Sequence, residues 1–292
     1  MGEHSGLETH RTGNGTGGSA PSSSAITTVK ELALVTGASS GIGAAVARAL
    51  AKRGIDVVLT ARRAKRLQEL KTEIESVGSV RAHVIALDLA DPAGPRRLCT
   101  ELERQGHNVS ILVNNAGFGV YGRLWQNDPA RLTQMLQLNM VSLTELTSLI
   151  VAGMVKRGRG YVLQVASIAA YQPSPFYAAY AATKAYVLFL SQALDWELRG
   201  TGVSVTTVCP GMTSTEFHAV ADHIKPKSMD RLAMTAEEVA EIGVRAMFRR
   251  KTVVTTGLLN KISALMVKLS PRSLATAAAA RIMRSDKVAL PP

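Results

Sequence analysis

The sequence predicts an α/β protein built on one doubly wound parallel sheet of about seven strands, with helices on both faces. Three observations support this prediction. Short apolar runs alternate with longer helical segments between about residue 30 and residue 256, which is the pattern of repeated βαβ units. A glycine-rich turn separates the first strand from the first helix, and polar residues stand where several strands end. Strands covered by helices on both faces are expected to be apolar throughout, as these runs are.

The strands are predicted from short apolar runs bounded by turn-forming residues. They are expected at residues 32–35, 55–60, 82–89, 110–114, 161–167, 203–209 and 251–256. Helices are expected at residues 44–53, 63–77, 129–155, 178–198 and 235–249. The last of these helices opens with Thr235 and Glu238, which have the spacing of a capping box.

Composition divides the 292-residue chain into three parts. Residues 1–28 are rich in glycine, serine and threonine and are predicted to be a disordered tail, because they have few large apolar side chains to bury. The tail also lacks the apolar core of a secretory signal. Residues 29–257 are the predicted α/β domain. Residues 258–292 are predicted to be a basic, amphipathic helical extension, and no long apolar run is interpreted as a membrane-spanning helix.

The segment after the first strand has the character of a phosphate-binding turn. Glycines let the backbone turn tightly and approach a pyrophosphate, and the N-terminus of the following helix supplies free N–H groups and partial positive charge. The predicted nucleotide contacts in this loop are Gly37, Ser39, Ser40, Gly41, Ile42 and Gly43. With this loop the predicted fold becomes a single-domain Rossmann-type sheet. The alternative is a tight strand-to-helix turn without a ligand.

Tyr180 and Lys184 lie one turn apart in a predicted helix, so their side chains share one face. A nearby ammonium group can make a phenol acidic enough to handle protons near neutral pH. Ser167, at the end of the preceding predicted strand, can converge with Tyr180 on one carbonyl oxygen. A tyrosine and a lysine at this spacing are common by chance, so the rest of the chain decides. Tyr177 does not fit the pattern, because position 181 is alanine.

Together these motifs resemble the short-chain dehydrogenase/reductase family. The matching residues are TGxxxGIG from Thr36, Asn114-Asn115-Ala116-Gly117, Asn139, Ser167, Tyr180 with Lys184, and Pro210-Gly211. The resemblance runs from about residue 31 to residue 256. It is specific for fold and reaction type, but it gives almost no information about the substrate. It implies an enzyme that transfers a hydride between a nicotinamide cofactor and a carbonyl or alcohol.

The resemblance also implies roles for four catalytic residues. Tyr180 would donate a proton to the developing alkoxide, and Ser167 would hydrogen-bond the substrate oxygen. Lys184 would lower the pKa of the phenol, together with the oxidised nicotinamide, and would hold the nicotinamide ribose. Asn139 would anchor a water that relays protons to Lys184. Taken singly, Ser167 could simply end a strand and Asn139 could be a polar helix residue. The complete set favours an enzyme over a non-catalytic NADPH-binding scaffold or sensor.

The end of the second strand favours NADP(H) over NAD(H). Sites for NAD place an acidic residue there for the ribose hydroxyls, whereas this chain has Ala61 followed by Arg62 and Arg63. Guanidinium groups bind phosphate through a planar fork of donors. Arg62 is therefore predicted as the main contact of the 2′-phosphate and Arg63 as a second contact. The alternative is that both arginines are ordinary surface residues at a helix start.

The resemblance places further cofactor contacts after three other strands. These are Asp88 and Leu89 beside the adenine, Asn115, Ala116 and Gly117 in the next turn, and Pro210, Gly211, Thr213 and Thr215 at the carboxamide end. Tyr180 and Lys184 complete the predicted cofactor contacts. Each turn could also serve only to connect a strand to a helix. No metal site is predicted, since the two cysteines have neither metal-ligand nor disulfide spacing.

The predicted substrate is a hydrophobic carbonyl or alcohol, such as a 3-oxoacyl thioester, a steroid or a lipophilic ketone. The expected pocket walls are apolar, with few fixed charges, and loops of this kind carry specificity. The candidate walls are Phe118, Val120, Tyr121, Tyr171, Pro173, Phe176, Phe217 and Met229.

Positive charge is concentrated at the C-terminus. The chain has a formal net charge of +12, and from Arg245 onward there are ten lysines and arginines against one acid, Asp286. Large apolar residues between Leu258 and Leu269 recur at helical spacing. This pattern fits a solvated basic tail, a helical lid over the cleft, or a surface for a membrane or an acidic acyl carrier. Nucleic-acid binding has no support beyond charge.

Assembly and location follow from the resemblance and from cysteine usage. Family members commonly pair through the helices that here carry Asn139 and Tyr180, which implies a homo-oligomer, either a dimer or a tetramer. Two unpaired cysteines fit a reducing compartment. The protein is therefore expected to be cytoplasmic, and peripheral to a membrane if its C-terminus docks there.

Overall fold

The computed structural model describes residues 30–221 and 233–283. The predicted tail at residues 1–28 lies outside this part of the chain, as does the end of the predicted C-terminal extension. Met229, a predicted pocket wall, also lies outside the described residues.

A seven-stranded parallel sheet forms the centre of the protein, with the strand order β3-β2-β1-β4-β5-β6-β7. The predicted fold class is therefore confirmed. The strands are β1 Leu32–Thr36, β2 Asp56–Ala61, β3 Ala82–Ala86, β4 Ile111–Asn114, β5 Gly160–Val165, β6 Val203–Cys209 and β7 Val253–Thr255. The order reverses between β1 and β4, and ligands of doubly wound sheets bind outside the carboxyl ends of the strands at such a point.

Helices cover both faces of the sheet. They are α1 Gly41–Ala51, α2 Ala64–Ser76, α3 Gly94–Arg104, α4 Pro129–Leu136, α5 Leu143–Lys156, α6 Ala178–Glu197, α7 Phe217–Val220, α8 Ala236–Phe248, α9 Leu258–Leu269 and α10 Arg272–Met283. Apolar residues of α1, α2 and α8 pack on one face. Those of α3, α5 and α6 pack on the other. The core thus consists of two aliphatic layers separated by the sheet.

Most predicted elements are confirmed to within two or three residues, but three regions differ. The predicted third strand ends at Ala86 rather than at residue 89, because β3 is an edge strand and the chain leaves the sheet there. Helix α3 was not predicted, since its core contacts are chiefly Leu98 and Leu102 in an otherwise polar segment. The predicted helix at 129–155 is interrupted by a π-helical turn, Gln137–Ser142, between α4 and α5.

The stretch Pro129–Lys156 is long and apolar enough to cross a membrane by length and composition, although the sequence was not expected to contain such a helix. In the structure it packs against the sheet and the neighbouring helices. Met135, Leu146 and Met154 are almost completely buried in it. The most apolar window of this stretch is 39% buried, so its apolar composition reflects core packing only in part.

Helix α8 provides a test of the predicted capping box. The Thr235 hydroxyl accepts from the Glu238 N–H at 3.1 Å, and the Glu238 carboxylate accepts from the Thr235 N–H at 2.9 Å. We expect Thr235→Ala to lower the free energy of unfolding by about 1 kcal/mol, because the Glu238 N–H at the helix end loses its partner. Urea denaturation measures this change. Thr235→Ser keeps the hydroxyl and should recover most of the loss; equal destabilisation by both variants would contradict the capping role.

Candidate active site

A single cleft opens at the carboxyl ends of the central strands, beside the point where the strand order reverses. Its cavity volume is about 400 Å³. The lining runs from Arg62 and Asp88 at one end, past the glycine loop, to Tyr180 and Lys184, and then to Phe217 and Met283. One continuous cleft therefore joins the loop predicted to bind phosphate with the residues predicted to handle protons.

The glycine loop has a conformation that side chains would disrupt. Gly37 and Gly41 have φ values of 66° and 53°, in the left-handed region. A Cβ on Gly43 would lie 2.4 Å from the Gly37 carbonyl oxygen and from the Asn115 amide nitrogen. The Ser40 hydroxyl, at the start of α1, accepts from Arg63 rather than from an N–H of the helix. The N-terminus of α1 therefore keeps its backbone donors and its partial positive charge for an anion.

Thr36 and Asn115 hold this loop against the turn after β4. The Thr36 hydroxyl donates to the Val113 carbonyl at 3.1 Å and accepts from the N–H groups of Asn115 and Ala116, each at 2.9 Å. The Asn115 amide donates to the carbonyls of Thr36 at 3.0 Å and Gly37 at 3.2 Å. These bonds cross-link β1 to β4, so both predicted cofactor turns share one rigid framework.

Arg63 extends across the glycine loop. Its guanidinium donates to the hydroxyl of Ser39 at 3.0 Å and to that of Ser40 at 2.7 Å. It also pairs with Glu216 at 2.8 Å, and Arg66 pairs with the same carboxylate at 2.5 Å. The hydrogen bonds from Arg66 and Arg63 lower the pKa of Glu216 to about 2. Sequence analysis did not identify Glu216, which ties the loop after β6 to the start of α2.

Arg62 lies at the outer end of the cleft. Its side chain is largely exposed, and its guanidinium lies 3.9 Å from the Asp88 carboxylate. Asp88 accepts from the Ala90 N–H at 2.9 Å, and Leu89 is buried beside it. Arg62, Asp88 and Leu89 all line the cleft. That Arg62 is the main contact of the 2′-phosphate and Arg63 the second contact stays a prediction.

Ser167, Tyr180 and Lys184 come together at the floor of the cleft. Ser167 lies close enough to the Tyr180 phenol to hydrogen-bond its charged form, which acts to lower the pKa of the phenol. Tyr180 and Lys184 are 8% and 6% exposed. The Lys184 ammonium donates to the Val165 carbonyl at 2.8 Å and lies 5.8 Å from the centre of the Tyr180 ring. Helix α6 and the end of β5 therefore bring the three predicted residues into one group.

Burial moves both titratable groups towards their neutral forms. It raises the pKa of Tyr180, while the hydrogen bond with Ser167 acts in the opposite direction. It lowers the pKa of Lys184 to about 8. The sequence predicts a lowered pKa for Tyr180. For the protein without cofactor this prediction is wrong. Burial outweighs the other effects on the pKa of Tyr180, and Lys184 bonds to Val165 rather than to the phenol.

Asn139 lies in the π-helical turn, where it binds the loop after β4. Its amide donates to the Phe118 carbonyl at 2.9 Å and to the Thr183 hydroxyl at 3.1 Å. Its oxygen accepts from the Phe118 N–H at 3.2 Å. A Cβ on Gly117 would lie 2.9 Å from that oxygen and 3.7 Å from the Lys184 ammonium. Asn139 thus lies beside Lys184 and holds the loop in place.

The turn after β6 forms the opposite wall of the cleft. The Pro210 carbonyl accepts from the Ile168 N–H at 2.9 Å. A Cβ on Gly211 would lie 2.1 Å from the Asn260 amide of α9, and one on Gly41 would lie 3.0 Å from Thr215. The predicted contacts Pro210, Gly211, Thr213 and Thr215 line the cleft and face the glycine loop across it.

The apolar part of the cleft only partly matches the predicted walls. Phe118 and Phe217 line it, and the Phe217 ring lies 5.1 Å from that of Tyr180. Four of the other predicted residues lie outside the lining: Val120, Tyr121, Pro173 and Phe176. Val120 and Tyr121 instead pack against the cluster that contains Tyr177 and Tyr180. Tyr171 instead lies near α9, where its hydroxyl bonds Thr255 at 2.9 Å.

Tyr177 and Met283 are among the lining residues that sequence reasoning did not identify. Tyr177 failed the tyrosine–lysine test, yet its ring packs edge-on against Tyr180 at 5.7 Å. The position of Tyr177 three residues before Tyr180, about one helical turn away, was the sequence feature that could have predicted this contact. Met283 reaches the cleft from the end of α10, and nothing local in the sequence indicates that contact. Within the described residues, no group of three or more metal-ligating side chains is placed to hold a metal ion.

The family profile of short chain dehydrogenases matches residues 31–225. The chain belongs to this family, as its motifs predict. It is therefore an oxidoreductase that acts on alcohol or carbonyl groups, and the nicotinamide-nucleotide class of cofactor is that of the family.

Individual relatives differ in substrate. Sulfoacetaldehyde reductase 2 of Chromohalobacter salexigens is 35% identical over 221 residues, covering 73% of this chain and 87% of that protein. The human very-long-chain 3-oxoacyl-CoA reductase is 35% identical over 191 residues, covering 64% of this chain and 61% of that protein. A short-chain dehydrogenase from Sphingobium yanoikuyae, solved in complex with NADPH, has a TM-score of 0.73 and 30% identity. That match covers 88% of this chain and 100% of that chain.

The buried ammonium of Lys184 provides a test of the site's electrostatics. Its pKa falls from 10.5 to about 8 on folding, so between these values the unfolded chain binds more protons and stability rises with pH. We compare wild type with Lys184→Met by urea denaturation. The wild type should gain roughly 1 kcal/mol per pH unit relative to the variant above about pH 8, with a flat difference below it.

Lys52→Met is the matched control, because it removes an exposed lysine at the far end of α1. Its difference from wild type should stay constant over the same range. A Lys184→Met difference that is also constant would show that burial does not perturb this ammonium.

Proposed function

We propose that this protein is an NADP(H)-dependent ketoreductase that transfers a hydride between the nicotinamide and a hydrophobic carbonyl or alcohol. The observation that carries the proposal is the grouping of Ser167, Tyr180 and Lys184 at the floor of the cleft that begins at the glycine loop. A phenol and an amine buried together beside a nucleotide-sized cleft suit proton transfer to a substrate oxygen.

The cleft fits an NADP(H) molecule along its length. The N-terminus of α1 and the left-handed glycines suit the pyrophosphate. Arg62 and Arg63 stand at the outer end, where the 2′-phosphate would lie, and the hydroxyls of Ser39 and Ser40 are beside them. Lys184 and the turn after β6 would hold the nicotinamide ribose and carboxamide. Two arginines at the end of β2, with no acid there, support NADP(H) over NAD(H).

The chain's own residues would manage the proton while the bound nicotinamide supplies the hydride. Burial raises the pKa of Tyr180, so the phenol is protonated at neutral pH and ready to donate to the substrate oxygen as a carbonyl is reduced. Ser167 is placed to donate to the same oxygen. The positive charges of Lys184 and of the oxidised ring would stabilise the phenolate that remains. Because the phenol starts protonated, the site is suited to the reduction of a carbonyl. Asn139 would anchor a water through which a proton returns to the phenol.

The substrate end of the cleft supports a hydrophobic carbonyl compound. Phe118, Tyr177, Phe217, Val220 and Met283 surround the space next to Tyr180. Aromatic and aliphatic walls of this kind bind acyl chains, steroids or lipophilic ketones better than small anions. The relatives act on both kinds of carbonyl by name, a small sulfonated aldehyde and a very long acyl chain. The apolar lining favours the second kind, and with it a role in lipid metabolism.

Self-association and location complete the proposal. Val141 and Leu149 of the α4–α5 helix, with Phe189 and Trp196 of α6, are exposed apolar side chains. They lie on the helices through which pairing is predicted, so we propose a homo-oligomer, a dimer or a tetramer, in the cytoplasm.

A non-catalytic NADPH-binding scaffold is the alternative function. Such a scaffold would not need a tyrosine proton donor paired with Lys184 and a matching Ser167.

The proposed function is tested by NADPH oxidation across a panel of carbonyl compounds. The panel contains 3-oxoacyl thioesters of increasing length, steroid ketones, lipophilic aryl ketones and sulfoacetaldehyde. We expect kcat/KM to rise with apolar size, because each buried methylene adds roughly 0.8 kcal/mol. Tyr180→Phe should lower kcat on the best substrate on the order of a hundredfold or more, since it removes the positioned proton donor.

Tyr186→Phe is the matched control, because it makes the same chemical change on α6 outside the lining of the cleft, where the hydroxyl bonds Thr144. It should keep near-normal turnover. Activity confined to small charged aldehydes would contradict the substrate class. Near-normal turnover by Tyr180→Phe would contradict the mechanism.

The arginines at the end of β2 predict cofactor choice. Replacing both Arg62 and Arg63 by alanine should raise KM for NADPH on the order of tenfold to a hundredfold, because charge-assisted bonds to the 2′-phosphate are lost. KM for NADH should change little. Glu216→Gln should lower KM for NADPH, since it frees Arg63 and removes a negative charge near the phosphate. Equal effects on NADPH and NADH would refute this assignment.

A further inference from the structure

Helix α9 has its large apolar side chains on the surface. These are Leu258, Leu259, Ile262, Leu265, Met266 and Leu269, each between 51% and 75% exposed. Their spacing places them on one side of the helix. Soluble proteins rarely leave a contiguous apolar face of this kind uncovered without an interaction partner.

Small and polar residues attach α9 to the protein. Gly257, with a φ of 79°, sets the direction of the helix. The Asn260 amide donates to the Thr256 carbonyl at 2.8 Å and packs against Gly211. Ala264 is the residue of α9 that is buried. The side of α9 that packs on the protein consists of Asn260, Ala264 and the partly buried Val267. The opposite side carries the larger apolar residues, which reverses the usual pattern for a surface helix.

Helix α10 repeats this arrangement. Ala275 and Ala279 are buried against the protein, whereas Leu274 and Ile282 are 64% and 58% exposed. Alanines allow close packing of the helix, and the larger side chains again point to solvent. The two consecutive helices together form one exposed surface, which we call the C-terminal apolar surface (residues 258–283).

The two helices carry positive charge and no acidic residue. Residues 258–283 contain four basic residues, Lys261, Lys268, Arg272 and Arg281, and no aspartate or glutamate. Lys261 and Lys268 lie two helical turns apart, so both flank the same edge of the apolar side of α9. Exposed leucines flanked by lysine and arginine are typical of helices that lie in the interface of an anionic bilayer.

The C-terminal apolar surface is continuous with the cleft. Met283, at the end of α10, lines the cavity and packs in the aromatic cluster that includes Tyr177 and Tyr180. The Tyr121 hydroxyl donates to the Met283 carbonyl at 2.9 Å and holds the end of the helix there. The helix that carries part of the exposed surface therefore also closes the apolar end of the cleft.

We propose that α9 and α10 dock the protein on an anionic lipid bilayer, with the apolar side chains inserted among the lipids and the basic residues at the headgroups. A second copy of the chain fits this surface poorly, because pairing it with itself would bring the four basic residues of each protomer together with no acid in these helices to neutralise them. An acidic carrier protein could match the charge, but an acidic surface would not cover the six exposed apolar side chains of α9. The position of Met283 further implies that lipophilic carbonyl substrates enter the cleft from the bilayer side. This part of the inference rests on the proposed function.

Vesicle flotation of the full-length protein tests the docking surface without any assay of activity. The probes are vesicles of phosphatidylcholine alone and of phosphatidylcholine with phosphatidylserine at roughly 3:1. We expect binding to the anionic vesicles to be at least about tenfold tighter and to weaken as salt is added. The double variant Leu265→Glu/Leu269→Glu should lose binding, and Lys261→Gln/Lys268→Gln/Arg272→Gln should bind at least about tenfold more weakly.

The matched control is Lys52→Gln/Lys156→Gln/Arg249→Gln, which removes the same charge from exposed positions outside the surface. It should float like wild type, and circular dichroism should show that every variant is folded. Absence of wild-type binding to any vesicle would overturn the proposal, as would equal binding by the Leu265→Glu/Leu269→Glu variant. So would light scattering that shows this variant falling to a smaller oligomer without lipid, because the surface would then be an interface between copies. Because flotation does not depend on turnover, these results stand whether or not the ketoreductase assignment does.

Discussion

The burial of a lysine ammonium beneath the cleft is the constraint on which the site depends. Lys184 lies almost entirely inside the protein and has a backbone carbonyl, that of Val165, as its hydrogen-bond acceptor. A buried charge costs free energy unless its surroundings favour it, and here burial lowers the pKa only to about 8, so the group stays largely protonated at neutral pH. The end of β5, the helix that carries Tyr180 and the loop held by Asn139 must all keep their places for this positive charge to face the cleft. The same packing that makes the charge costly would also make it effective on a phenolate formed at Tyr180, because water is excluded there.

A second framework sets where a nucleotide would lie relative to that charge. Thr36 and Asn115 join the first strand to the turn after the fourth, which fixes the glycine loop at the start of α1. The loop after β6 lies opposite and is tied to the start of α2 by Glu216 and its two arginines. Polar contacts between separate segments thus hold the part of the cleft beside the glycine loop, while its far end is apolar. This division suits a ligand with a charged end and a flat reactive ring, and it leaves the apolar end to select the substrate.

Much of this arrangement could be predicted from sequence because it depends on local spacing. The strand runs, the glycine loop, the pairing of Tyr180 with Lys184 and the position of Ser167 are all features of short segments. What the sequence did not predict depends on contacts between distant segments. Helix α3 was missed because two leucines in a polar segment give a weak pattern. Glu216 and Met283 reach the cleft from other parts of the chain, and the pKa of Tyr180 depends on how deeply the folded protein buries it. The predicted substrate walls were the least accurate part, since side-chain directions in loops are set by tertiary packing.

The central claim is that Tyr180 is a proton donor whose acidity is set by burial and by the positive charges next to it. Ultraviolet difference titration of its phenolate, taken as wild type minus Tyr180→Phe, tests this claim most directly when it is recorded with and without saturating NADP⁺. Because the oxidised nicotinamide adds a positive charge beside the phenol, the account predicts that NADP⁺ shifts the Tyr180 transition to lower pH by one unit or more, equivalent to about 1.4 kcal/mol. A transition that stays at the same pH when NADP⁺ binds would contradict it, because the phenol would then not lie within reach of the reactive ring.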